Sequence, residues 1–419
     1  SGSEAKFGLT TQELLDAVEG LKRHGLDDCL QMLPVHVGSQ ITEIRRIKAA
    51  VKEGARVYAK LRADGCPLRY LDVGGGLGVD YDGSRTSYEA SMNYGITEYA
   101  NDVVYIVQEI CDAENVPAPV LVSESGRALT AYHAVLISEV GGRNVDESGE
   151  DVIVPADAHD SLQELYEIWE GMSHKNHREF FHDAEAMRDE LISQFDLGYL
   201  SLRDRALAER LMRRISRRAV EFSRGERFIP EEFLQLQRQL VTKYIANFSV
   251  FQSLPDAWAL DQLFPVMPIH RLNERPTVPA TLCDVTCDSF GEIDRFVDRR
   301  EVRESLDLHE LRNGEPYYVG ICLRGAYQDV LGDYHNLFGR VDEVEVRLLP
   351  GGGARVVADR PGDEAHQVLR LFGYDPAEMV ERVREQAQAR RQRRAISAAQ
   401  AKEIVAEYER ALAGYTYLR

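Results

Sequence analysis

The sequence predicts an α/β plus β protein: part of a parallel β/α sheet, then a β-barrel or sandwich domain interrupted by a helical insert, and a helical carboxyl-terminal tail. Three observations predict it. Three strand-like segments, Leu33 to Ser39, Tyr70 to Gly76 and Val120 to Arg127, alternate with amphipathic helices, and each runs into a polar or glycine-rich corner. Between about Ala156 and Lys243 the chain turns charged, helical and poor in glycine. Short β segments follow from Asn247, and helical sequence returns after Asp363.

The elements follow in order. Thr10 with Glu13 forms a capping box that opens a helix from Thr11 to about Lys22 and leads into a strand over Leu30 to Gly38. A helix over Ile41 to Ala63 precedes the strand that ends at Gly74; a helix from Thr97 to about Glu114 precedes the strand that ends at Glu124. Apolar strands joined by crossover helices imply a parallel sheet, and such sheets bind ligands at the carboxyl ends of their strands, where all three corners fall. Val135 to Val140 reads as an early strand of the β domain, cut off from the rest by an insert typified by Leu207 to Ile215. The later β segments are Thr281 to Cys287, Tyr317 to Leu323 and Val344 to Leu349, the last before a Pro350-Gly-Gly-Gly turn. Ser397 with Gln400 is a second capping box, in the tail. The expected boundaries are 1–130 for the sheet of crossover units, 131–155 and 247–360 for the β domain, 156–246 for the insert and 361–419 for the tail.

With 44% hydrophobic and 28% charged residues over 419 positions, the chain suits a soluble protein of two or three domains. It contains no apolar run of about 18 residues and no apolar stretch behind a basic start, so neither a membrane partner nor a secretory signal is expected, and a cytoplasmic location is the default. A net charge of -19 argues against a nucleic-acid partner. The six cysteines are dispersed, with no paired CxxC motifs, and read as reduced thiols.

The corners carry the chemistry. They present His36 with Ser39, then Gly74, Gly75 and Gly76, then Glu124 with Gly126 and Arg127. Backbone amides at the glycines can close on a phosphate, and Arg127 can add a bidentate grip. Glu124 suits a ring nitrogen and His36 a ring face, so the set as a whole matches pyridoxal 5'-phosphate (PLP). The glycines do not fit GxGxxG, which argues against a dinucleotide fold. His174, His177 and His182 fit no HExxH metal pattern and read as a solvated helix face.

The strings HVGSQ from His36, LDVGGGLGVDY from Leu71, ESGRALTA from Glu124, TCDS from Thr286 and GAYQDVLGDYHNLFG from Gly325 resemble those of the biosynthetic arginine decarboxylase family. These are PLP-dependent decarboxylases of the alanine-racemase fold, grouped with ornithine and diaminopimelate decarboxylases. The resemblance spans nearly the whole chain. It implies the carboxyl-terminal part of a PLP-binding (β/α)8 barrel followed by a β domain, in a homodimer or tetramer with shared active sites. The implied reaction turns L-arginine into agmatine and carbon dioxide, a step toward polyamines. His36 would stack on the cofactor ring, Ser39, Gly75, Gly76, Arg127 and Tyr327 would hold the phosphate, and Glu124 would pair with the pyridinium. Cys287, arriving from the partner subunit, would return a proton to the substrate carbon, a task that suits a thiol. Asp288 would take the basic end of the substrate. The segment Leu71, Asp72, Val73, Leu77, Gly78, Val79, Asp80 and Tyr81 would bind substrate. Magnesium is associated with the family, but no carboxylate cluster in the sequence identifies ligands.

The chain departs from the family in two places. Family members carry Cys-Asp-Ser-Asp-Gly where this chain has Cys287-Asp-Ser-Phe-Gly291, which puts Phe290 in place of an acid and leaves Asp288, Glu292 and Asp294 as the nearby carboxylates. A barrel of this type has eight strands, and three are counted before the β domain. None of the eight lysines (Lys6, Lys22, Lys48, Lys52, Lys60, Lys175, Lys243 and Lys402) ends an apolar strand as a Schiff-base lysine should; all but Lys6 are expected in or beside helices. The chain is therefore expected to be the carboxyl-terminal two-thirds of an enzyme, inactive without an amino-terminal barrel half. Two alternatives stay open: a non-catalytic regulatory or binding subunit of a complete relative, and a decarboxylase of another basic amino acid such as ornithine.

Overall fold

The computed structural model describes residues 7–144, 152–224, 228–298 and 302–418; Lys6 lies outside them. Helix α1 (Thr11–Arg23) starts at the expected capping box, with Glu13 N–H donating to Thr10 Oγ1 (3.3 Å) and Thr10 N–H donating to Glu13 Oε2 (2.7 Å). Strand β1 (Met32–Pro34), helix α2 (Ile44–Ala63), strand β2 (Tyr70–Asp72), helix α3 (Ile96–Glu114) and strand β3 (Val120–Val122) follow. β1 pairs with β2 and β2 with β3, both parallel, which sets Leu71 opposite Leu33 on one side and Leu121 on the other. Leu71 is fully buried, in one core with Val51, Ala55, Tyr58, Val107 and Ile110 of the two crossover helices. Burial of these side chains, each contributing about 1.5–3 kcal/mol, is what seats α2 and α3 on the sheet. The ion pairs Lys48–Asp102 (2.9 Å) and Lys60–Glu114 (2.8 Å) lie on the solvent side and add little. The strand expected over Leu30 to Gly38 is shorter than the apolar run suggests. Val35 N–H still reaches Asp72 O (2.8 Å), but beyond it the chain leaves the ladder to build a corner. A short helix, α4 (Gly126–Thr130), leaves the third corner.

Strand β4 (Leu136–Asn144) opens the second sheet, and the insert then forms helices α5 (Asp160–Gly171), α6 (His177–Asp196), α7 (Leu202–Ser223) and α8 (Glu231–Gln239). These close on their own core of Leu162, Leu165, Phe181, Leu211, Ile215 and Phe233. His177 corrects the reading of a solvated histidine face: it is 2% exposed, edge-on to Phe233 at 5.6 Å between ring centroids, whereas His174 and His182 are exposed.

A second correction concerns where the insert ends. Strand β5 (Thr242–Ala246) falls within the stretch assigned to the insert, yet it pairs antiparallel with β4 and parallel with β7 (Val278–Cys283). Exposed Lys243 and Ile245 alternate with buried Tyr244 and Ala246, a half-buried strand too short and too charged for its period to stand out. Helices α9 (Val250–Ser253) and α10 (Pro255–Ala259) precede strand β6 (Val266–Pro268); after β7 come β8 (Glu292–Ile293), β9 (Leu306–Leu308) and β10 (Tyr318–Ile321). Among the described residues the sheet runs β6-β10-β4-β5-β7-β8, with β9 also on β7, around buried Tyr244, Phe248, Leu282, Phe296 and Val319. Helix α11 (Gln328–Leu331) and the hairpin β11 (Glu343–Leu348) and β12 (Ala354–Arg360) lead to the tail helices α12 (Ala365–Leu371), α13 (Pro376–Gln392) and α14 (Ala398–Leu412). Asn247 pins the end of the tail to the β region by exchanging two hydrogen bonds with the Leu418 backbone (2.8 and 3.1 Å). No helix among the described residues is long and apolar enough to cross a membrane.

Candidate functional site

The three corners touch one another. Glu124 N–H donates to Gly74 O (2.9 Å) and Ile41 N–H to Gly76 O (2.9 Å), which lace the second corner to the third and to the first. Gly74 and Gly76 hold φ of +74° and +88°, and Asp72 Oδ1 accepts from Gly74 N–H (2.8 Å) to fix the turn. A Cβ at Gly74 would lie 2.0 Å from Val35 O, and one at Gly75 2.6 Å from Glu124 O, so the backbones approach to a distance that only glycine permits.

Arg127 gathers the cluster. Its Nη2 donates to Ser39 Oγ (3.2 Å), its Nη1 donates to Tyr81 Oη (3.1 Å), and its guanidinium lies 4.8 Å from the ring centroid of Tyr327. Its Nε is buried with no hydrogen-bond partner among the described residues, a donor free to meet a ligand. Tyr81 is fully buried edge-on to Phe264, and burial pushes its phenol above the ordinary range despite the opposing pull of Arg127. Tyr327 holds φ +69°, a conformation that bulky side chains rarely adopt and that marks many functional sites. His36 is exposed at the first corner, 5.9 Å from the Phe7 ring. Glu124 is exposed, and its carboxylate has no hydrogen bond or ion pair among the described residues.

The side chains of Leu71, Val73, Leu77 and Val79 are packed into cores, and Asp72, also buried, serves the glycine turn. Gly78 is buried as well, which leaves Asp80, whose carboxylate accepts from Ser91 Oγ (2.7 Å), and the hydroxyl of Tyr81, which meets Arg127, as the polar side-chain groups of this segment nearest the cluster. Sequence reading missed Gln40, whose amide clips Val79 by accepting from its N–H (2.9 Å) and donating to its carbonyl (2.8 Å).

Cys287 and Asp288 lie elsewhere, on the turn after β7. Their partners are Asn336 and His335, not a residue of the corner cluster. The strand expected to reach Cys287 stops at Cys283 because buried Asp284 ends it: Oδ1 accepts from Thr286 N–H (2.9 Å) and Oγ1 (2.7 Å), and Oδ2 from Val250 N–H (2.8 Å). Burial pushes the Cys283 thiol up to about 11, whereas Cys287 is exposed. Phe290 is 70% exposed beside it. Glu292, expected as a nearby charge, is engaged by Lys243 (2.6 Å) and Thr281 (2.6 Å). Among the described residues no group of three or more His, Cys, Asp or Glu is arranged to hold a metal, so the magnesium implied by resemblance has no ligand set here.

Three family models match the chain: the pyridoxal-dependent decarboxylase pyridoxal-binding domain over residues 1–131, the arginine decarboxylase helical bundle domain over 155–237, and the arginine decarboxylase C-terminal helical extension over 365–418. The biosynthetic arginine decarboxylase of Deinococcus radiodurans is 48% identical over 421 residues, covering 100% of this chain and 63% of that protein. That of Gloeobacter violaceus is 44% identical over 422 residues, covering 100% of this chain and 66% of that protein. The crystal structure of the biosynthetic arginine decarboxylase from Campylobacter jejuni matches with a TM-score of 0.84 at 35% identity, covering 100% of this chain and 68% of that one. The chain thus spans just under two-thirds of the length of the two sequence relatives.

Proposed function

Because the chain belongs to the biosynthetic arginine decarboxylase family of pyridoxal-dependent decarboxylases, we propose that it supplies the cofactor-holding and proton-returning parts of an enzyme that converts L-arginine to agmatine and carbon dioxide. The observation that carries this reading is the lacing of three strand ends to one another, with Arg127 of the third bound to Ser39 of the first, and with a buried guanidinium N–H and the Glu124 carboxylate unpaired among the described residues. We read the sheet of β1, β2 and β3 as part of a (β/α)8 barrel and the seven-stranded sheet as the β-barrel or sandwich domain.

The residues present fit PLP. Gly74, Gly75 and Gly76 form a cradle that a Cβ would fill, and with Ser39, Gly126, Arg127 and Tyr327 they would hold the phosphate. When bound, the cofactor supplies an electron sink for the pair left behind as carbon dioxide departs. Glu124 would accept a hydrogen bond from the protonated ring nitrogen, and His36 would cover the ring face. Asp288 would bind the guanidinium end of the substrate, with Phe290 beside it. Cys287 Sγ would hold the proton destined for the substrate α-carbon. Since Cys287 and the corner cluster have separate partners, we propose that a second copy of the chain brings the thiol to the site, in a homodimer or tetramer.

The test mixes the chain, PLP and the separately produced part of the Deinococcus radiodurans relative that this chain does not match. Release of carbon dioxide from arginine, dependent on all three and lost with Cys287→Ala, is expected; ornithine as competitor grades the substrate. Absence of release under every combination would count against the reading. A second reading, a non-catalytic partner of a complete relative, is favoured by Phe290, which stands 70% exposed beside Cys287 and Asp288 in place of an acid.

A further inference from the structure

The segment Gly325 to Gly339 runs between the corner cluster and the Cys287 turn of one chain: Tyr327 near its start faces Arg127, and His335 and Asn336 near its end face the Cys287 turn. Asn336 Oδ1 accepts from Cys287 N–H (3.1 Å) and lies 3.5 Å from Cys287 Sγ, within reach of the S–H. Asn336 holds φ +54° and Leu337 φ +62°, two successive left-handed residues without glycine, and asparagine is the side chain best suited to that backbone. Next to it, the His335 ring packs 4.4 Å from Phe251 and sets Nε2 3.5 Å from Asp288 Oδ2.

We propose that Asn336 is a positioning residue for the proton-donating thiol: it holds the Cys287 backbone and aims Cys287 S–H by accepting its hydrogen bond. The end of the amide that faces the cysteine decides its role. A backbone N–H can only donate, so it requires the amide oxygen, and that oxygen then confronts the sulfur as well. An acceptor stabilises S–H and repels S⁻, so the proton stays on the donor until a stronger base, the carbon left after decarboxylation, takes it. The groups that also face the turn are Asp288 and His335, and Asp284 with Tyr417 near it; none replaces an acceptor fixed by the Cys287 backbone. The proposal rests on the reading of Cys287 as proton donor, and its test does not depend on turnover.

The experiment measures the pH dependence of Cys287 alkylation by iodoacetamide in the full chain, resolved by mass spectrometry because Cys29 is also exposed. Asn336→Gly keeps a residue at ease with a positive φ and removes the acceptor; Asn336→Asp keeps the acceptor and adds charge. The alkylation profile should move to lower pH in the first and to higher pH in the second, a change of about threefold to tenfold in rate at fixed pH. Cys29 should be unmoved in both. Superimposable Cys287 profiles in parent and variants would overturn the assignment. Shifted profiles with no carbon dioxide released from arginine in any mixture would leave the clamp standing and count against the decarboxylase reading instead.

Discussion

At the scale of single residues the site is organised by one guanidinium. Arg127 spends two of its donors on Ser39 and Tyr81 and keeps Nε buried and unshared, an arrangement that is costly unless an anion completes it. Arg127→Ala should weaken binding of a pyridoxyl phosphate by about 10- to 100-fold, the worth of a charged hydrogen-bond set, read by isothermal titration. Tyr81→Phe, which deletes one acceptor and nothing else, should weaken the same binding by less than tenfold. Equal losses in the two variants would mean that Arg127 serves the fold and not a ligand. The residues proposed to touch a ligand were legible in the sequence as strand-end polar groups. Those that hold them, Gln40, Asp284 and Asn336, were not, because their work depends on partners distant in sequence: Gln40 on Val79, Asn336 on Cys287.

At the scale of elements, the corners exist because short strands yield to glycine turns. Gly75→Ala would drive a Cβ to 2.6 Å from Glu124 O, backbone against backbone, so the third corner must move. A loss of about 1–3 kcal/mol in urea unfolding together with weaker cofactor binding is expected; a variant as stable and as tight as the parent would show that the corners are not packed as described. The tail offers a pH test. Burial alone would raise the Asp363 carboxyl, but hydrogen bonds from the Arg340 backbone N–H (2.9 Å) and guanidinium (3.0 Å) outweigh it and hold it below the usual carboxylate range. A depressed folded value means stabilisation that is full above about pH 5 and lost as pH falls through the folded value. The gap in urea midpoint between parent and Asp363→Asn should therefore narrow on going from pH 7 to pH 3, and a constant gap would refute the linkage. The long helices were plain in the sequence, since two or more turns of period carry the signal. Strand ends were not: nothing in the apolar run from Leu30 announces that the ladder stops at Pro34, and the alternation in β5 is only five residues long.

At the scale of the whole molecule, the described residues form three separate hydrophobic cores, which serve the parallel sheet, the seven-stranded sheet and the helical insert. Unfolding should not be two-state: the calorimetric enthalpy of the chain should exceed the van't Hoff value, and equality would contradict the division. If the thiol crosses from a second copy, co-refolding Arg127→Ala with Cys287→Ala in the complemented enzyme should restore about a quarter of parental activity, since half the dimers are mixed and each carries one intact site. No restoration would confine both residues to one copy. The central claim, that the three corners form one phosphate-holding cofactor site, is tested most directly by titrating the chain with pyridoxamine 5'-phosphate and with pyridoxamine, neither of which carries an aldehyde to react with surface lysines. A single site for the phosphorylated compound, lost in Arg127→Ala, and no comparable binding of pyridoxamine are expected; identical isotherms for the two compounds would contradict the claim.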